Sequence, residues 1–235
     1  LYMSIIDPIS RAKALGIMSG FWQLLSPEER AIFEENLTFC TYKKHESIYS
    51  EGQRPDYLYC VISGHVKIFR DGVYGRSQIM RILGEGSYFG YRASLADEPY
   101  VTGAAAFGPV TICRIPMACI LRAMATNVPL LRFFISELAV DLGIADKRIV
   151  SLTQKHIRGR MAESILSLRD AFGLDTQGYI NIAITREELA CFSNMTTSNS
   201  IRTLSAFAKE GLIQLDGRRI KVLRDEDLFH ISYMG

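Results

Sequence analysis

The sequence predicts an α+β chain: an antiparallel β barrel or sandwich, one long helix, and a C-terminal winged helix-turn-helix. Three observations carry that prediction. Between residues 37 and 116, short apolar runs ("LTFCTY", "YLYCVISGHVKIF", "SQIMRIL", "VTICRI") alternate with Gly, Asp and Pro turns, at the roughly 8–12-residue spacing of antiparallel folds. Past residue 128, apolar residues return at alternating gaps of four and three, a heptad seam. Residues 184–213, "ITREELACFSNMTTSNSIRTLSAFAKEGLI", read as two short helices joined by a tight polar turn. Strands and helices do not alternate as a parallel sheet requires.

The bulk numbers set outer limits. The chain has 235 residues, 48% hydrophobic and 22% charged, which is globular composition with room for two cores. Net charge is +2 and the pI about 8.3, so an anionic partner is neither demanded nor excluded. Beyond residue 151, acids and bases nearly balance, so any nucleic-acid reading must rest on local placement. Cys40, Cys60, Cys113, Cys119 and Cys191 are odd in number and form no CxxC. Reduced thiols in the cytoplasm follow as the expectation, several of them core residues. The opening "LYMSIIDPIS" lacks the basic and continuously apolar regions of a signal peptide. Leu1 is not Met, which predicts that the native start lies upstream. No apolar run has the length of a membrane span, so no membrane partner is expected.

Three domains are expected: a β domain with N-terminal helices over 1–127, a dimerisation helix over 128–156, and a winged helix over 157–235. Residues 7–36 look helical at the edges. Ser26 is an N-cap there, Pro27 the first helical residue, and Glu28 and Glu29 fill the first turn. The long helix opens at Pro129. Its seam is Leu131, Ile135, Leu138, Leu142, Ala145, Ile149 and Leu152. A core helix normally buries a wider stripe. Phe133, Phe134 and Val140 could supply that stripe against the barrel, and the narrow seam in strict register favours a dimer contact. A polar hinge follows near "TQKHIRGR". Then come a helix with Met161, Ile165 and Leu168 on one face, Gly173 as its stop, and a short strand at "GYINIAI".

The helix pair opens with a capping box, Thr185 and Glu188. Asn194 to Thr196 make the turn, Thr196 or Thr197 caps the second helix, and Gly211 ends it. Ile201, Leu204, Phe207 and Ala208 are its expected buried face. Ser198, Arg202, Ser205 and Lys209 line the outer side, small, polar and cationic. A solvated helix face would look the same. But a hairpin turning at Asp216-Gly217 follows, with Arg218, Arg219 and Lys221. Helix, turn, helix and basic hairpin describe a device that reads the major groove with one helix and holds phosphates with a wing.

In these residues the chain resembles the cyclic-AMP receptor protein and fumarate-nitrate reductase regulator (CRP/FNR) family of bacterial transcription factors. The resemblance rests on "SIYSEGQRPDYLYCVISGHVKIF" through Gly52, Asp56, Tyr59, Ile62, Gly64 and Val66. It continues in "GEGSYFG", "YVTGAAAF", "GRMAESILSL" and "ITREELA…IRTL". It implies an effector-sensing β roll (a jelly roll of the cyclic-nucleotide-binding kind), a homodimer, a palindromic double-stranded DNA operator and RNA polymerase as partner. Thr197, Ser198, Asn199 and Arg202 would then read bases. Thr185, Arg186, Thr196, Arg218 and Lys221 would hold phosphates. Thr197 and Ser198 stand where the family often has Arg-Glu, which predicts a half-site unlike the usual TGTGA type. Ser200 replaces a usual Val, predicting looser packing.

The expected effector pocket is Gly90, Tyr91, Arg92, Tyr100, Val101, Thr102, Ala145 and Asp146. Cyclic-AMP binders place a ribose-binding Glu at Tyr91, a phosphate-binding Arg-Ser at Val101-Thr102, and an adenine-contacting Thr-Ser at Ala145-Asp146. All three features are lost, so another effector, or none, is expected. No cysteine precedes Cys40, which argues against an iron-sulfur cluster. His45, His65, His156 and His230 are scattered, so nothing supports haem. No HExxH, GxSxG or Walker pattern points to an enzyme. The rival reading is a sensing module whose winged helix grips protein instead of DNA.

Overall fold

The computed structural model describes residues 8–72 and 77–235. The start of the chain, "LYMSIID", on which part of the leader reading rests, lies outside the described residues. Two compact units are formed, one within Leu1–Arg70 and Met80–Leu142, the other within Asp71–Ile79 and Gly143–Gly235.

Alternation along one strand organises the first unit. Among the described residues, the strands β1 (Thr38–Tyr42), β2 (Ser47–Tyr49), β3 (Tyr57–Ser63), β4 (Val66–Asp71), β5 (Ser77–Leu83), β6 (Tyr88–Phe89), β7 (Gly103–Ala106) and β8 (Val110–Pro116) make two four-stranded sheets. Their orders are β1-β8-β3-β6 and β2-β7-β4-β5. On β3, Tyr59 and Val61 face the second sheet and share a core with Tyr49, Ile68 and Ala104. Leu58, Cys60 and Ile62 face the other way, against helices. A sheet covered on both faces needs a continuous apolar run, not alternation of apolar and polar. That is why "YLYCVI" reads apolar throughout.

The helical cover comes from α1 (Pro8–Ile17), α2 (Ser19–Trp22), α3 (Pro27–Asn36), α4 (Tyr91–Leu95), α5 (Met117–Met124) and the first half of α6 (Val128–Gln154). Helix α3 starts as expected. Ser26 Oγ accepts from the Glu29 N–H, the Glu29 carboxylate accepts from the Ser26 N–H, and Pro27 occupies the first turn. Phe134 of α6 is buried among Phe21, Tyr91 and Phe133, with ring centroids 6.3, 5.2 and 5.4 Å away. Val140, expected to pack alongside, is 59% exposed. It lies more than a turn and a half past Phe134, which rotates it off that face.

The second unit holds α7 (Ile157–Phe172), α8 (Arg186–Phe192), α9 (Thr197–Lys209), the two-stranded sheet of β9 (Ile213–Asp216) and β10 (Arg219–Val222), and α10 (Asp225–Met234). Met161, Ile165 and Leu168 are buried as expected. Two expectations fail. The polar hinge shrinks to Lys155 and His156, because α7 already begins at Ile157, ahead of the expected stretch at Met161. The "GYINIAI" segment is no regular strand. It makes one bridge, Leu174 to Ile180, and sends the Ile180 and Ile184 N–H groups to the Ile220 and Arg218 carbonyls. No helix of the described residues is long and apolar enough to cross a membrane.

Phe134→Ala removes a buried ring that packs against three aromatic neighbours. It should cost about 3–5 kcal/mol in urea unfolding. A loss under about 1 kcal/mol would place the ring outside the unit's cooperative core.

Candidate functional site

The helix pair is built from local capping. Thr185 Oγ1 accepts from the Glu188 N–H, and the Glu188 carboxylate accepts from the Thr185 N–H at 2.9 Å. Thr196, not Thr197, caps α9 by accepting from the Asn199 N–H. Between them Asn194 takes a left-handed conformation, φ 51°, which Asn tolerates better than most residues. Helix α9 ends at Gly211 with φ 72°.

The carbonyls at the end of α8 need donors, and two arginines supply them. Arg160 of α7 donates to the Ser193 and Asn194 carbonyls, each at 3.2 Å, and to the Lys155 carbonyl at 2.7 Å. Arg148 of α6 donates to the Phe192 carbonyl, lies over the Phe192 ring at 4.6 Å, and also donates to the Ile79 carbonyl at 3.1 Å. Burial lowers the Arg148 pKa from its usual value, and the Glu163 carboxylate opposes that shift. Neither arginine stands out in the sequence. The one signal is an Arg in "GRMA" of unassigned role.

The outer side of α9 carries Thr197, Ser198, Arg202, Ser205 and Lys209, all exposed. Arg202 donates to Asn199 Oδ1, so the two predicted base readers pair with each other. The buried face differs from expectation. Ser200, Thr203, Leu204 and Phe207 are buried, Ala208 is half-buried, and Ile201 is 48% exposed. The true stripe is centred on Phe207 and Leu204, and Ser200 rather than Ile201 completes it. Among the described residues, the Ser200 hydroxyl has no hydrogen-bond partner. A serine there leaves an unpaired polar group where a larger apolar one would pack.

The predicted phosphate contacts divide. Arg218 is exposed on the wing. Arg186 is half-buried and donates to the Gly217 carbonyl at 3.0 Å. Lys221 donates to the Gln177 carbonyl at 2.9 Å and lies 5.8 Å from the Tyr179 ring. Thr185 and Thr196 spend their hydroxyls as caps. Arg219, outside the predicted set, bonds Asp175 at 2.6 Å and Gln177 at 2.9 Å. The wing cations thus mostly brace the turn at 175–179.

Within the first unit, the predicted effector residues lie in different surroundings. Tyr91 is buried in the helix-covered core and touches Phe134. Tyr100 is buried in the roll interior, stacked on Tyr49 at 3.7 Å, and Thr102 is half-buried. Gly90 has φ +88°, and a Cβ there would meet the Tyr59 ring at 2.7 Å, so only glycine is tolerated. Arg92 pairs with Glu98 at 2.7 Å, and Val101 is 40% exposed. Ala145 and Asp146 fall in the second unit, exposed on α6.

The roll interior is filled by Tyr42, Tyr49, Tyr59, Phe89 and Tyr100. Burial raises the pKa of Tyr42 to about 12 and also pushes up Tyr49, Tyr59 and Tyr100, so all stay uncharged at neutral pH. None of these rings supplies the cation that a phosphate selects, and Arg92, the cation of the predicted set, is paired with Glu98. A large cleft of about 770 Å³ lies elsewhere, lined by Arg54, Tyr57, Asp97, Pro116 and Leu121 among others. No group of three or more His, Cys, Asp or Glu among the described residues could hold a metal ion.

The seam residues also divide. Leu131, Ile135, Leu142, Ala145 and Ile149 are exposed and Leu152 is half-buried. Leu138 is partly buried against the first unit's core. Ile144 and Val150 add exposed apolar surface on the same helix.

Arg160→Ala should lower stability by about 2–3 kcal/mol, since bonds from a charged donor to half-buried carbonyls are lost together. Arg160→Lys should recover only part, because one ammonium cannot span three carbonyls. Thermal unfolding of both variants checks this. An Arg160→Lys variant as stable as the wild type would show that the fork geometry does not matter.

The comparisons agree with this architecture. A cyclic nucleotide-binding domain model matches residues 39–127, and a Crp-like helix-turn-helix domain model matches residues 159–230. The CRP-like cAMP-activated global transcriptional regulator of Mycobacterium tuberculosis is 24% identical over 212 residues, covering 89% of this chain and 95% of that protein. The cyclic AMP receptor protein of Thermus thermophilus is 28% identical over 215 residues, covering 89% and 94%. Among solved structures, FixK2 from Bradyrhizobium japonicum shares the fold with a TM-score of 0.76 at 23% identity, over 83% of this chain and 97% of that one. With both domains present in the family's order, the chain belongs to the CRP/FNR family of transcription regulators.

Proposed function

We propose that this regulator binds a two-fold symmetric DNA operator as a homodimer in the cytoplasm, reading bases with α9. The observation that carries the reading is the exposed outer side of α9. It presents Thr197, Ser198 and Arg202 near a helix N-terminus, on a frame held by capping and by Arg160. Small polar side chains and an arginine in that position reach base edges, and arginine bonds guanine bidentately. Arg218 is the wing residue best placed for a phosphate, and Thr185, Thr196, Arg186 and Lys221 add to it if their present bonds exchange. RNA polymerase is the expected partner by family.

Dimerisation through α6 is supported by Leu131, Ile135, Leu142 and Ile149, large apolar groups left uncovered along one helix. Such a stripe requires cover in water. An effector other than cyclic AMP, or none, is supported by the tyrosine-filled roll and by Tyr91 and Val101 at positions where cyclic-AMP binders hold ribose and phosphate.

Selection from a random DNA pool by the purified protein, with no added ligand, should enrich a symmetric site with two half-sites about one helical turn apart. Failure to enrich any sequence, with or without a small-molecule extract, would overturn the reading. On the selected site, Arg202→Ala should cost roughly 1–3 kcal/mol and relax one base position, whereas Arg218→Ala should weaken all sequences alike and lower the salt slope by about one. Gel-shift titrations at several salt concentrations measure both.

A further inference from the structure

On α9 the sequence places a serine in the core and an isoleucine in water. Ser200 is fully buried with no partner for its hydroxyl among the described residues, and its neighbour Ile201 is 48% exposed. Stability alone would favour the reverse order, since burying an isoleucine is favourable and burying an unpaired hydroxyl is not. A local choice that opposes folding marks a residue kept for another task.

We infer that Ile201 is a specificity residue that packs against the 5-methyl group of a thymine in each half-site. The inference rests on the proposed DNA reading and deepens it. Thymine's methyl is the apolar feature of the major groove, and apolar side chains recognise it. Ile201 lies beside Arg202, between Ser198 one turn before and Ser205 one turn after, all exposed. The two serines are short, so the isoleucine projects past them. A β-branched side chain in a helix holds essentially one χ1 rotamer, so little freedom is lost when it meets a base. Ile201 and Arg202 are consecutive residues of α9, about 1.5 Å apart along its axis, so the thymine should lie on, or next to, the base pair that Arg202 contacts.

The test replaces each thymine of the selected operator, one position at a time, with deoxyuridine, which removes only the methyl group. Affinity is measured for wild type, Ile201→Ala and Ile201→Val. In wild type, one thymine per half-site should lose roughly 3- to 5-fold on replacement, the worth of about one buried methyl. Ile201→Ala should bind both operators equally, and Ile201→Val should keep most of the discrimination. The sensitive thymine should coincide with, or adjoin, the position relaxed by Arg202→Ala. A flat deoxyuridine scan, or a loss that persists in Ile201→Ala, would overturn the inference while leaving DNA reading intact. If wild type enriches no operator at all, the DNA reading falls and this inference with it.

Discussion

A helix that ends inside a protein leaves carbonyl oxygens without partners, and the pose of α9 depends on how that need is met at the end of α8. Arg160 and Arg148 reach the Phe192, Ser193 and Asn194 carbonyls from two other helices. Each guanidinium carries several donors in a rigid fork, so one side chain fixes a turn in more than one direction. The turn in turn fixes where α9 begins, and with it the direction of Thr197, Ser198 and Arg202. Arg148 also donates to the Ile79 carbonyl. Arg148 thus holds Ile79, the second half of α6 and the end of α8 together within the second unit.

The roll shows the opposite economy. Its interior is filled by its own aromatic rings, with Tyr49 stacked on Tyr100 and Tyr59 on Phe89 at 5.0 Å. A relative named for activation by cyclic AMP matches nearly the whole chain, whereas the resemblance assigns the ribose and phosphate positions to Tyr91, Val101 and Thr102. A filled interior gives the unit stability without a ligand.

Much of this is legible in the sequence because it is local. The Ser26 N-cap, the Thr185–Glu188 capping box, the stops at Gly173 and Gly211, and the hairpin at Asp216-Gly217 each need only a few neighbouring residues, and all are present. The strands are legible from their turn spacing. What the sequence hides depends on distant partners. Helix α10 lies past the last strand and is fixed by packing on α7. Lys221 reads as a free phosphate cation, but its partner is the Gln177 carbonyl. The "GYINIAI" run has strand composition but forms only isolated bonds to the wing. Ile201 reads as a core residue because apolar residues usually are, and the serine beside it occupies that place.

A crystal structure of the protein on its selected operator tests the central claim most directly. Helix α9 should lie in the major groove with Ser198, Ile201 and Arg202 against base edges, and two copies should meet along α6. A complex in which α9 faces solvent or protein, with DNA held by the wing alone, would contradict it.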